Sequence, residues 1–122
     1  MISEELQSRL LDGVDALHVA LNNLRTAAKA HGEAEHKYRQ ARATALIEYA
    51  ADGEKRIVDL LKAMVDKKCE TEMWKIRLAE AEHESAKELV ISLRQQLSAF
   101  QSILNAHREE AAAVRYGQHN QT

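Results

Sequence analysis

The residues best suited to hold a metal ion are His31, Glu35, His36 and Cys69. His31 and Glu35 stand four apart, so a helix would carry them on one face. Cys69 would come near His36 if the chain folded back close to residue 53. Imidazole, carboxylate and thiolate together suit zinc. However, histidine–glutamate spacings arise readily on charged helices, and polar residues in a thin helix contact give the same pattern. No metal ligand, cofactor-binding residue or catalytic residue is therefore assigned. There is no glycine-rich phosphate loop, no nucleophile elbow and no paired-cysteine zinc motif. The expectation is a protein that is not an enzyme.

A second group could contact nucleic acid. Arg25, Lys29, Lys37, Arg39 and Arg42 are five basic residues set against Glu33 and Glu35. Tyr38 lies among them as a candidate for stacking on a base. The competing reading is charge compensation, because the stretch from Glu70 to Glu88 holds six acidic residues against Lys75, Arg77 and Lys87. Two further histidines, His83 and His107, fall on an apolar stripe. They would act there as pH-sensitive joints or, more simply, as polar residues that fix register. Trp74 is the single tryptophan. It lies off the stripe, and burial beside Met73 and Ile76 is the expectation, with an exposed binding anchor as the alternative.

The elements that position these residues are helices. Apolar residues at Leu6, Leu10, Val14, Leu17, Leu21, Leu24 and Ala28 recur at steps of three and four, which marks one helical face. After Ala28 the strict register would admit His31, Glu35 and Arg42, and a shift through Ala34, Tyr38, Ala41 and Ala45 fits better. A longer stripe runs through Ile76, Ala79, His83, Ala86, Val90, Leu93, Leu97, Phe100, Leu104, His107, Ala111 and Val114. A three–four alternation kept up over that length is a coiled-coil signature. Between the stripes, Asp52-Gly53 reads as a helix end and a new start. The expected layout is one helical hairpin domain over residues 1–117, with helices at about 3–51 and 54–115, a turn at 52–53 and a disordered tail at 118–122. Gly32 is a kink or a straight passage. The weak stretches near 31–42 and 66–73 would face each other.

Composition supports this layout. The chain has 122 residues and no proline, where average usage would supply about six. Hydrophobic residues reach 45% but aromatics only 4%, so thin alanine-rich seams are expected rather than a thick core. Net charge is −2 and the pI near 6.3, which does not favour nucleic acid. A single cysteine excludes an internal disulfide and suits a reducing compartment. No run of apolar residues is long enough to span a membrane, and the acidic start lacks a signal-peptide layout. A cytoplasmic location is expected.

The fold class expected is therefore all-α: a long antiparallel, coiled-coil-like hairpin that oligomerises into a helix bundle, with a homodimer favoured. The oligomer seam is assigned to Ile76, Val90, Leu93, Leu97, Phe100, Leu104 and Val114. The segment beyond about Phe100 would overhang the first helix and need another chain to cover it.

Particular stretches resemble a known group. Tyr38-Arg39-Gln40-Ala41-Arg42-Ala43, the turn at Asp52-Gly53, the run from Ser92 to Ser102, and Arg108-Glu109-Glu110 through Gly117 are similar to small helical proteins of tailed bacteriophages. The resemblance covers residues 35–117 and carries no catalytic residues. It implies a host bacterial cytoplasm and a non-enzymatic accessory protein that works through protein–protein contact, as a homo-oligomer or with another phage or host protein. A DNA-binding accessory of phage replication or recombination, and an inhibitor of a host defence system such as an anti-CRISPR, are the alternatives.

Overall fold

The computed structural model describes residues 2–51 and 58–120, with side chains described for 4–51 and 58–117. The turn expected at Asp52-Gly53 lies outside the described residues. The described chain is all α-helix: α1 spans Ile2–Ala51, α2 Val58–Lys68 and α3 Glu70–Asn120. Glu4 and Glu5 lie in the first turn of α1 and Asp59 in that of α2. Acidic side chains there complement the positive end of the helix dipole.

Helix α1 passes Gly32 without interruption. The expected second helix is divided at one residue, Cys69, and the backbone pattern there stays helical. The Cys69 N–H donates to the Val65 carbonyl at 3.0 Å, and the Met73 N–H donates to the Cys69 carbonyl at 3.0 Å. Both are four-residue steps, as in an α-helix. Helix α3 also continues through Gly117 to Asn120, past the end expected near Arg115. A glycine inside a helix is unfavourable but does not stop it when no competing cap is present.

The chain forms two compact units. The first joins Met1–Asn22 with Lys87–Thr122, and the second is Asn23–Ala86. Helices α1 and α3 contribute to both.

In the first unit the buried residues are Leu6, Ala20, Val90 and Leu104. Leu10, Leu17, Leu93, Leu97 and Phe100 are half-buried around them. At Gly13 there is no room for a side chain without displacing a neighbour: a Cβ placed there would lie 2.6 Å from Leu97 Cδ2. The residue that gives way to Leu97 is thus Gly13, and Val14 points outward. This corrects the stripe read from sequence.

In the second unit the tightest core is Ala45, Val65 and Cys69, at 1%, 1% and 2% exposure. Tyr38, Ala41 and Tyr49 pack against it. The helices here run antiparallel, since His31 of α1 meets His83 of α3 while Glu48 of α1 meets Lys68 of α2. The stretches expected to be weak do face each other. Tyr38 and Ala41 from one of them pack against the core that holds Cys69 from the other, beside Ala45 and Val65 just outside their bounds.

The seam along α1 follows a strict alternation of four and three: Leu6, Leu10, Gly13, Leu17, Ala20, Leu24, Ala27, His31, Ala34, Tyr38, Ala41 and Ala45 are all buried or half-buried. The positions expected after Ala28, namely Ala34, Tyr38, Ala41 and Ala45, lie on this seam; the departure comes earlier, at Val14 and Ala28, which are exposed and give way to Gly13 and Ala27. One of the two seam positions is small throughout after Leu6, occupied by Gly13, Ala20, Ala27, Ala34 and Ala41. The α3 stripe is as expected from Ile76 to His107, while Ala111 and Val114 are exposed.

Candidate functional site

Helix spacing decides which polar groups meet. His31 and His83 occupy facing seam positions of the second unit, and their rings stack with centroids 5.9 Å apart and planes 20° from parallel. His31 Nε2 lies 3.3 Å from Glu35 Oε1, and Arg39 reaches the other oxygen of Glu35 at 3.7 Å. His36, in contrast, is exposed on the outer side of α1, and Cys69 belongs to the Ala45–Val65 core. The four candidate metal ligands are therefore not brought together. Among the described residues no group of three histidine, cysteine, aspartate or glutamate side chains could hold a metal ion.

Cys69 is enclosed in the core with Ala45 and Val65. Burial raises its thiol pKa above the ordinary value of 9.0, and the nearby carboxylates of Glu72 and Asp66 push in the same direction. A thiol held in its neutral form is unreactive. Glu72 itself occupies a seam position, and its Oε2 is buried without a hydrogen-bond partner. It shares a shallow groove with Lys37, Gln40, Thr44 and Lys75. On the other flank of α1, Lys68 pairs with Glu48 and stands 5.4 Å from the centre of the Tyr49 ring, which closes one end of the core.

The candidate nucleic-acid residues do not form one face. At about 100° per residue on a helix, Arg25, Lys29 and Arg39 point outward together, while Lys37 and Arg42 lie on opposite flanks of the seam. All five are exposed. Tyr38 is half-buried and packed against the core.

The seam residues assigned from sequence are placed as follows. Val90 and Leu104 are buried within the single chain, and Ile76, Leu93, Leu97 and Phe100 are half-buried. Leu104 is covered inside the first unit, which corrects the expected start of the overhang from about Phe100 to beyond His107. Val114 alone of the set stays open.

What the sequence pattern did not expect is the outer face of α3 in the second unit. Trp74 is 65% exposed and Leu78 62%. Trp74 lies almost diametrically opposite the seam residues Ile76 and Ala79, so its position two residues before Ile76 was already the signal against burial. A groove of about 450 Å³ runs beside it, with Tyr38 and Arg42 of α1 on one wall, Lys62 and Asp66 of α2, and Glu70, Met73 and Arg77 of α3 on the other. Both signs of charge surround an indole and a thioether. Such a surface has the composition of an interaction hot spot.

The fold and this surface together define an all-α protein in which α1 packs against α3 and large apolar side chains stand on outward faces. No helix among the described residues is long and apolar enough to cross a membrane. Compared with protein-family models, curated proteins and solved structures, the chain matches none.

Proposed function

We propose that this chain is a non-enzymatic helical protein that acts through protein–protein contact, beginning with association between its own copies. The observation that carries this reading is the set of large apolar side chains left facing water in both units, among them Leu11, Val19, Ile47, Trp74, Leu78 and Ile91. Leaving these in water forgoes roughly 25 cal/mol for each Å² of apolar area that a partner would cover.

The wider setting rests on the resemblance of residues 35–117 to small phage helical proteins. It places the chain in an infected bacterial cytoplasm as an accessory protein, with another phage or host protein as the eventual partner. The DNA-binding alternative loses support from the dispersal of Arg25, Lys37 and Arg42 around α1.

Light scattering coupled to size-exclusion chromatography tests the reading. Over a tenfold concentration range a stable dimer or larger species is expected. A mass that stays at one chain throughout would remove self-association, and the open apolar faces would then belong to a different protein.

A further inference from the structure

We infer that the Trp74 face of α3 is the surface on which a second copy of this chain docks, antiparallel, across a two-fold axis passing between Met73 and Trp74. This deepens the self-association proposed above and rests on it.

Three observations carry the inference. First, Trp74 and Leu78 are large, adjacent on one helical ridge, and more than half exposed. Tryptophan is the residue type most enriched at the energetic centre of interfaces. Second, the charges beside them are ordered. Glu70 lies one turn before Trp74 and Arg77 nearly one turn after it, on the same side of α3. Neither makes an ion pair with another described residue. A two-fold interface brings residue i against residue j and j against i. With the axis between positions 73 and 74, residue 70 of one copy meets residue 77 of the other, twice. The arrangement turns two exposed opposite charges per chain into two intermolecular ion pairs flanking a paired tryptophan–methionine centre. A parallel arrangement would set Glu70 against Glu70 and Arg77 against Arg77, and like-charge contact is costly. Third, the face is open on one side. The groove walled by Arg42 and Lys62 adjoins Trp74, so the indole of the second copy can enter it and lie against a cation.

Glu70 and Arg77 test the register directly. The unsubstituted chain and the variants Glu70→Arg, Arg77→Glu, the double exchange and Trp74→Ala are compared by light scattering and sedimentation, with helicity followed by circular dichroism. Each single charge reversal places like charges together and is expected to weaken the dimer by about tenfold or more, the double exchange restores it, and Trp74→Ala weakens it roughly thirtyfold as a hot-spot truncation does. Because Trp74 is the sole tryptophan, its emission in the unsubstituted chain should shift to the blue as concentration rises. Leu11→Ala, on an exposed position of the first unit, leaves the dimer unchanged. If the unsubstituted chain dimerises while all three single variants dimerise equally well, this face is not the interface although self-association stands. If the single charge variants dissociate and the double exchange does not restore the dimer, the two-fold pairing is wrong. A chain that is monomeric at every concentration overturns both the inference and the reading beneath it. Should Trp74→Ala lose helicity, the charge exchanges decide alone, since both side chains are exposed.

Discussion

The two units solve the same packing problem with different side chains. In the first, leucines and a phenylalanine meet across α1 and α3, and most of them remain half-buried. In the second, alanine, valine and cysteine form a core at 1–2% exposure, with Tyr38, Ala41 and Tyr49 packed against it. Depth of burial thus does not follow side-chain size. Two helices alone can enclose small residues, because their backbones approach until nothing is left between them. They cannot enclose a row of leucines, whose outer methyl groups project past the contact. The difference teaches that the first unit is limited by missing cover and the second by missing volume.

If that contrast is right, enlarging the core should hurt the second unit most. Ala45→Leu inserts three carbons where no space exists, and a loss of about 2 kcal/mol is expected from overpacking, read by urea denaturation at fixed protein concentration. A loss below about 0.5 kcal/mol would show that the backbones can separate freely and would break the comparison.

Glu72 supplies the next largest effect. Its buried oxygen lacks a partner, and removing such a group by an apolar residue of similar length relieves its desolvation. Glu72→Leu should raise the urea midpoint by an amount worth about 1 kcal/mol. A lower midpoint would mean that the carboxylate is satisfied by ordered water.

The glycines sharpen the comparison between units. A Cβ at Gly32 meets nothing within 4 Å, so Gly32→Ala should gain about 1 kcal/mol from helix propensity alone. At Gly13 the same gain is offset by displacement of the Leu97 methyl 2.6 Å from the new Cβ. Gly13→Ala should therefore stabilise less than Gly32→Ala in paired thermal melts. Equal gains would mean that Leu97 moves aside without cost.

The smallest effect concerns Cys69. Its thiol pKa lies above 9.0 in the folded chain because burial disfavours the thiolate. The native state then keeps its proton where the unfolded state has lost one, so stability falls as pH rises above the unfolded value. The contribution is fully present below that value and is lost between it and the higher folded one. The stability of the unsubstituted chain relative to Cys69→Ala should decline above about pH 9, checked by denaturation at pH 7 and pH 10. At neutral pH the native thiol should also resist iodoacetamide until the chain is unfolded.

Much of this protein was legible from its residues. The helical class follows from the absence of proline and the three–four spacing. The α3 seam from Ile76 to His107 could be read position by position, because large apolar residues mark it. The register of α1 could not. Between Gly13 and Val14, or between Ala27 and Ala28, a pattern of hydrophobicity favours the larger residue or is indifferent. Contact between helices favours the smaller one wherever the opposing side chain is large, as Leu97 is. Cys69 looked like a defect in a stripe and proved to be core for the same reason. Trp74 was expected inside because tryptophan is usually buried in part, although its position on the helix pointed outward.

Local spacing along the chain is enough to make it helical and to give its helices a seam of mostly apolar residues. Packing between helices settles which small residues admit the neighbouring helix, which polar side chains meet across the seam, and which large ones are left facing water. Those outcomes depend on distances between residues far apart in the chain, and local periodicity contains no such distances.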